Sequence, residues 1–208
     1  MEAFSEDVDA RFTARHQAIL GFCGLEGSVL DVGCFNGWFE KYAKCSFVVG
    51  VDVDLKAKGG NFIRASASFL PFRRGAFSSA CMFDVLEHLP SERGALIEAY
   101  RVLLCRGLLY ISVPNRSSLS VFLDPAFYMR GHRHYSLLTL YWLLNRNGFT
   151  VTSWRRRGGV VEAFSVLMLY LFKRFGFEVP FRRRVEHLRA LEYSRDGFET
   201  LFVKAAKL

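Results

Sequence analysis

Ser28-Val29-Leu30-Asp31-Val32-Gly33-Cys34-Phe35-Asn36-Gly37 decides how the chain is read. Its first five residues form a short apolar run carrying one carboxylate. Two glycines then break the run before Trp38 to Lys44, whose aromatic and charged residues suit a helix lying on a sheet. The stretch therefore predicts a strand, a tight turn and a helix. A glycine turn at the carboxyl end of a strand leaves backbone N–H groups and a helix N-terminus open to a ligand, because glycine has no Cβ to bar the approach. Taken alone, such a turn fits a dinucleotide site or a plain tight loop equally well.

The same alternation recurs outward from it. Phe47 to Asp54 reads as a second apolar strand ending in acids, Asn61 to Arg64 as a short third, Ser79 to Phe83 as a fourth and Gly107 to Val113 as a fifth. Ser91 to Leu104 has the pattern of an amphipathic helix with Ser91 as its N-cap, and Arg11 to Phe22 has helical spacing ahead of the first strand. Beyond Pro114 a loop rich in His, Arg and Tyr runs to Tyr135. A helix is predicted over Ser136 to Arg146 with Gly148 closing it, and Phe149 to Arg156 and Phe198 to Lys204 have strand character. The alternation predicts a doubly wound α/β domain spanning 1–208. Residues 1–24 are expected as a helical cap, and 160–193, first apolar and then basic, as an insertion or lid.

Asp52 narrows the ligand. It stands at the end of the second strand, 19 residues after Gly33, where a carboxylate can accept from both hydroxyls of a ribose. The turn lacks Gly-x-Gly-x-x-Gly, which disfavours nicotinamide dinucleotides, and no Gly-x-x-x-x-Gly-Lys-Ser/Thr loop exists for a nucleoside triphosphate.

With Val29-Leu-Asp31-Val-Gly33-Cys34 and Gly50-Val-Asp52 stand Leu70-Pro71-Phe72, Asp84-Val-Leu-Glu87-His88-Leu, Arg101-Val-Leu, Gly107-Leu-Leu-Tyr-Ile-Ser-Val-Pro114-Asn115 and Arg133-His134-Tyr135-Ser. In this order and spacing they resemble the class I S-adenosylmethionine-dependent methyltransferases, in particular the small enzymes that include those of ubiquinone and menaquinone biosynthesis. The resemblance covers roughly Val29 to Thr152 and implies one Rossmann-like seven-stranded sheet, mostly parallel with an antiparallel last strand. It implies S-adenosylmethionine as cofactor, with Gly33, Cys34 and Gly37 against its methionine and ribose, Asp31 near its amino group, and Asp52 and Val53 at the ribose. It places Ser66 and Ala67 at the adenine edge and Phe83 and Asp84 beside the methionine part. Three positions depart from the pattern: Phe35 replaces the middle glycine, Ser66 an adenine-binding Asp, and Ser78 a common Asp.

The reaction implied is direct displacement at a sulfonium methyl, for which the protein mainly aligns the nucleophile and excludes water. A general base, where the acceptor needs one, is sought among His134, His88, His132 and Tyr135, with His134 the first choice. The fourth strand runs into Phe83-Asp84-Val85 rather than Asn-Pro-Pro-Tyr, which argues against amino-directed methylation of adenine or glutamine. Asn115, Phe122, Phe127, Tyr128 and Met129 are expected to wall the acceptor pocket.

Charge bears on the acceptor. The net charge is +8, yet residues 130–208 hold 15 Lys/Arg against 6 Asp/Glu, so the whole excess lies in the last part of the chain. Val160 to Phe172 is apolar but for Glu162 and Ser165, and basic residues follow it. Thirteen residues are too few to cross a bilayer, whereas apolar residues abutting basic ones suit an interfacial segment, a lid over a greasy acceptor, a dimer contact or a buried helix. A small acceptor, lipid-like or anionic, is expected, with an anionic membrane surface met through 160–184. RNA methylation and a cofactor-binding module without catalysis are the alternatives. The five cysteines form no C-x-x-C pair and no metal-ligand spacing, and the acidic N-terminus lacks a signal-peptide pattern, so a cytoplasmic protein is expected.

Overall fold

The computed structural model describes residues 13–54, 60–117, 121–122, 124, 127, 132–175 and 182–208, with the side chains of 166, 169–175, 182 and 183 left aside. Tyr128, Met129, the first twelve residues and the side chains of Lys173, Arg174, Arg182 and Arg183 thus lie outside the described residues.

Seven strands form one sheet: β1 (Ser28–Val32), β2 (Phe47–Asp52), β3 (Phe62–Arg64), β4 (Phe77–Phe83), β5 (Leu103–Pro114), β6 (Phe149–Arg157) and β7 (Thr200–Lys207), in the order β3-β2-β1-β4-β5-β7-β6. β1 pairs in parallel with β2 and β4, and β4 in parallel with β5, while β7 runs antiparallel to both β5 and β6. The chain moves one way from β1 to β3 and then returns to the other side of β1 for β4. That reversal opens a crevice beyond the carboxyl ends of β1 and β4.

Alternate residues of the strands feed different faces, as the period of two requires. Leu30, Val32, Met82, Leu109 and Ile111 pack with Leu96 and Ala99 of α3 (Glu92–Val102) and Leu140 and Leu144 of α4 (Leu137–Arg146). Val29, Cys81 and Tyr110 pack on the opposite side with Phe39 of α2 (Trp38–Tyr42). Ile19 of α1 (Ala14–Phe22), Tyr193 and Phe202 extend that second layer. Tyr110, fully buried, ties α1 to the sheet: its hydroxyl donates to Gly24 O at 2.8 Å and accepts from Gly24 N–H at 3.2 Å.

Residues 160–193 contain two helices, α5 (Val160–Phe175) and α6 (Arg182–Tyr193). Glu192 of α6 caps α5, its carboxylate accepting from the N–H groups of Gly159, Val161 and Glu162 at 3.0, 2.9 and 2.9 Å. Arg189 pairs with Glu162, both buried, and Glu186 accepts from Ala14 N–H at 3.3 Å, so α6 is clasped between α5 and α1.

Several boundaries differ from expectation: β4 starts at Phe77 rather than Ser79, β2 ends at Asp52 rather than Asp54, α2 ends at Tyr42 rather than Lys44, and β7 runs on to Lys207. β5 starts at Leu103, directly after α3, because Lys207 Nζ holds the Leu103 and Tyr100 carbonyls (2.7 and 2.6 Å) and Phe77 pairs with Leu103. β7 starts at Thr200 rather than Phe198, because the Phe198 and Glu199 N–H groups are taken by Gly158 O in the turn after β6. Among the described residues, no helix is long and apolar enough to cross a membrane.

Candidate active site

The crevice at the sheet's reversal is a cleft of about 700 Å³. Its floor is made where β1 ends. Gly33 adopts φ +81°, and a Cβ built there would lie 2.4 Å from Val85 Cγ2, so this turn admits no side chain. Its N–H and that of Cys34 both donate to Val51 O, at 2.7 and 3.2 Å, which holds the turn against β2. Gly37, also left-handed at φ +71°, starts α2.

Asp52 closes the turn from the neighbouring strand. Its two carboxylate oxygens accept from Phe35 N–H at 3.0 Å and Asp54 N–H at 2.9 Å, which fixes its plane at the cleft wall while each oxygen keeps a lone pair for a further donor. Phe35, the replacement for a glycine, takes φ +39° and stays 60% exposed, so its ring lies at the rim instead of filling the floor. Ser66 accepts from Ser68 N–H at 3.2 Å and borders the cleft beside Ala67. Ser78 is explained by the sheet: its hydroxyl lies 2.5 Å from Glu26 O and 2.8 Å from Ser28 O, joining the starts of β4 and β1.

The far wall comes from β4 and α1. Phe83 packs on Phe39 and Trp38, with ring centroids 5.2 and 6.1 Å apart, and Trp38 stacks on His16 at 4.0 Å. Asp84, left-handed at φ +58°, is held by an ion pair with Arg15 and by the Ser112 hydroxyl at 3.0 Å. Beneath the cleft, Asp31 is 3% exposed, and burial, then the charges of Asp52 and Glu40, push its carboxyl up to about 7.

A second polar cluster adjoins the end of the cleft lined by His88, Leu89 and Pro90. Glu87, 3% exposed, has its pKa pushed well up by burial and then by the Asp84 charge. The His88 and His132 rings lie 4.6 Å apart. Asp124 Oδ2 meets both His132 Nδ1 and His134 Nε2 at 2.9 Å, and His134 Nδ1 faces Asn115 O at 3.3 Å. Tyr135 is buried, its hydroxyl 2.9 Å from Glu92 Oε1 and 3.1 Å from Leu86 O; burial and then Glu92 raise its pKa.

The structure therefore brings Gly33, Asp52, Val53, Ser66, Ala67, Phe83, Asp84 and His88 to one cleft. Asp31 lies within β1, and Cys34 is buried against Gly50, with its thiol pKa pushed up to about 12 by burial. His134 and Tyr135 are not among the lining residues and serve the neighbouring cluster and loop. Phe122 and Phe127 are both exposed, and Phe127 meets His134 edge-on. Sequence reasoning missed His16, Asn36 and Trp38 in the lining and Arg15 behind Asp84. For α1 no local signal existed, since its residues reach the cleft only through the packing of that helix.

A family model described as a methyltransferase domain matches residues 4–154. The crystal structure of an S-adenosylmethionine-dependent methyltransferase from Mesorhizobium loti is 16% identical, with a TM-score of 0.67 over 96% of this chain and 100% of that one. One of the S-adenosylmethionine-dependent methyltransferases of Methanosarcina mazei is 18% identical, with a TM-score of 0.60 over 91% and 96%. The [4+2]-cyclase SpnF is also similar, at 18% identity and a TM-score of 0.64 over 97% and 85%. No curated protein matches the chain. At such identities the structural likenesses establish a shared fold.

Proposed function

We propose that the chain, which belongs to the methyltransferase-domain family, uses S-adenosylmethionine to methylate a small acceptor that is lipid-like or anionic, bound at the His88 end of the cleft. The observation that carries the cofactor half is the pairing of a side-chain-free turn at Gly33 with the oriented Asp52 carboxylate across one cleft. A cradle that a Cβ would fill and an acid able to accept from two vicinal hydroxyls fit a nucleoside. Ser66 and Ala67 then border the base, and Phe83 and Asp84 the amino-acid part.

When bound, the cofactor supplies a methyl carbon already made electrophilic by its sulfonium. Transfer of that methyl to the acceptor's lone pair would leave the cofactor as a neutral thioether. The chain's residues orient and desolvate. Phe83, Trp38 and Val85 exclude water, and Arg15 holds Asp84 in place. For a hydroxyl acceptor, His88 is the imidazole placed at the cleft to take the proton; His134 and Tyr135 act through the adjoining loop.

The acceptor class is supported by the basic last part of the chain and by exposed apolar side chains on the 160–193 hairpin, Val160 and Phe164 on α5 and Leu188 and Leu191 on α6. We read that hairpin as a lid facing an anionic or greasy surface. Five unbridged thiols suit a reducing compartment such as the cytoplasm. RNA is the second reading, favoured by Trp154 with Arg156 stacked over it at 5.5 Å on the edge strand β6.

Titration calorimetry with S-adenosylmethionine tests the cofactor half. Binding is expected, and Asp52→Ala should weaken it by about 1.5–3 kcal/mol, the scale of hydrogen bonds to a charged group. An unchanged isotherm in the variant removes Asp52 from the site. Transfer of a labelled methyl group to small molecules that co-purify with the chain tests the acceptor half. Cofactor binding without transfer to any of them would favour a module that has lost catalysis.

A further inference from the structure

We propose that Glu87, His88 and His132 bind a divalent first-row transition-metal ion, with Asp124 orienting His132. The two groups that would face the ion are buried without hydrogen-bond partners: Glu87 Oε2, on a side chain 1% exposed, and His132 Nε2, on one 14% exposed. Buried polar atoms are nearly always satisfied, so two orphans side by side need an account. They do not satisfy each other. His132 Nε2 stands 3.8 Å from the other oxygen of that carboxylate, Glu87 Oε1, too far for a hydrogen bond yet inside the ~4.2 Å that two donors on one ion at ~2.1 Å can span.

The other face of His132 explains its orientation. Nδ1 meets Asp124 Oδ2 at 2.9 Å, and a carboxylate there places the proton on Nδ1 and turns the Nε2 lone pair toward Glu87. Ligating histidines commonly have this arrangement, in which an outer carboxylate fixes tautomer and ring plane. His88 is the third member: one ligand atom from each of the three residues lies within 4.8 Å of the others, so side-chain shifts of a few tenths of an ångström bring all three onto one ion. Asp124, His132 and His134 form a second set of the same compactness, but its atoms already bond one another at 2.9 Å, so it needs no ion.

Two imidazoles and one carboxylate suit Zn²⁺, Fe²⁺, Co²⁺ or Mn²⁺ better than Mg²⁺ or Ca²⁺, which favour oxygen throughout. Three protein ligands leave a position open, as catalytic sites do. His88 belongs to the cleft wall, so an ion on it borders the acceptor end and favours acceptors that offer an oxygen donor. That use, unlike the binding itself, rests on the function proposed above, and with the ion bound the oxygen is activated by coordination rather than by His88 acting as a base.

The test uses the full chain, stripped with a chelator and dialysed against Zn²⁺, Mn²⁺ or Co²⁺, with elemental analysis for stoichiometry and the visible absorption of Co²⁺ for ligand type. One ion per chain is expected. Glu87→Gln and His132→Gln should weaken binding at least ~10-fold, and Asp124→Asn by ~10–100-fold, the range for outer-shell partners. Absence of stoichiometric binding to the unaltered chain overturns the proposal, whatever the variants do. So does binding that survives both Glu87→Gln and His132→Gln, or that is lost only with His134→Gln. A cofactor isotherm on the same samples reports folding and keeps the two proposals apart, since ion binding without cofactor binding would remove only the methyl-transfer reading.

Discussion

At Gly33 a side chain has nowhere to go. Val85 Cγ2 stands 2.4 Å from the position of a Cβ, and the backbone is left-handed, so Gly33→Ala must displace the Val85 side chain or the turn itself. Both border the cleft. We expect a loss of roughly 1–3 kcal/mol in stability, the scale of a strained residue with a steric clash, and a cofactor affinity reduced more than 10-fold; thermal unfolding and calorimetry read the two effects separately. Asp31 behaves differently because its burden is electrostatic. Its folded-state pKa of about 7 exceeds the ordinary 3.8, so between those values the folded chain binds the proton and the unfolded chain does not. Its contribution to stability is therefore present at low pH, falls as pH rises from about 4 to about 7, and is gone above that, with a full span of roughly 4 kcal/mol. Asp31→Asn, nearly isosteric and never charged, should melt close to the unaltered chain near pH 4 and increasingly above it toward pH 7. A melting difference that stays constant across that range would mean Asp31 is not the group that titrates.

Among the elements, the α5–α6 hairpin carries a buried ion pair in addition to its apolar contacts. Arg189 and Glu162 are both buried, so removing one partner strands the other. Arg189→Met should cost about 3–5 kcal/mol by urea unfolding, while the double change with Glu162→Leu should recover most of it, because no charge then remains buried. This pairing was illegible in the sequence: Glu162 and Arg189 are 27 residues apart, and the segment reads only as apolar followed by basic. By contrast β1, α2 and β2 were legible, since each is a continuous apolar run or a short helix punctuated by glycine, and local pattern suffices for them. The cofactor half of the cleft followed from the same elements, because Gly33 and Asp52 sit at strand ends where a parallel sheet puts its ligands. The acceptor half did not. Glu87 and His132 come together from distant parts of the chain, and Arg15 meets Asp84 across 69 residues through the docking of α1. Contacts made by tertiary packing leave no spacing rule to read.

For the whole molecule the question is what the excess of positive charge is for. It belongs to residues 130–208, the part that also carries exposed Val160 and Phe164 one helical turn apart on α5. A basic segment beside an apolar face suits an anionic bilayer, where each Lys or Arg near the surface adds about 1 kcal/mol and the attraction fades over a Debye length of about 10 Å at 0.1 M salt. Replacing Arg182, Arg183 and Arg184 together with Ser should then weaken binding to phosphatidylserine-containing vesicles by roughly two orders of magnitude, and Phe164→Ser should weaken it at every salt concentration, because the term it removes is apolar. Neutral phosphatidylcholine vesicles provide the comparison in a sedimentation assay. If the charge instead serves a nucleic acid, binding to RNA should fall steeply with salt, vesicles should be ignored, and the decisive losses should come from Arg155 and Arg156 beside Trp154 on β6. The two outcomes depend on different elements, the hairpin and the edge strand, so separate substitutions tell them apart. Unchanged vesicle binding in the triple-arginine variant would remove the membrane reading while leaving the cofactor cleft untouched.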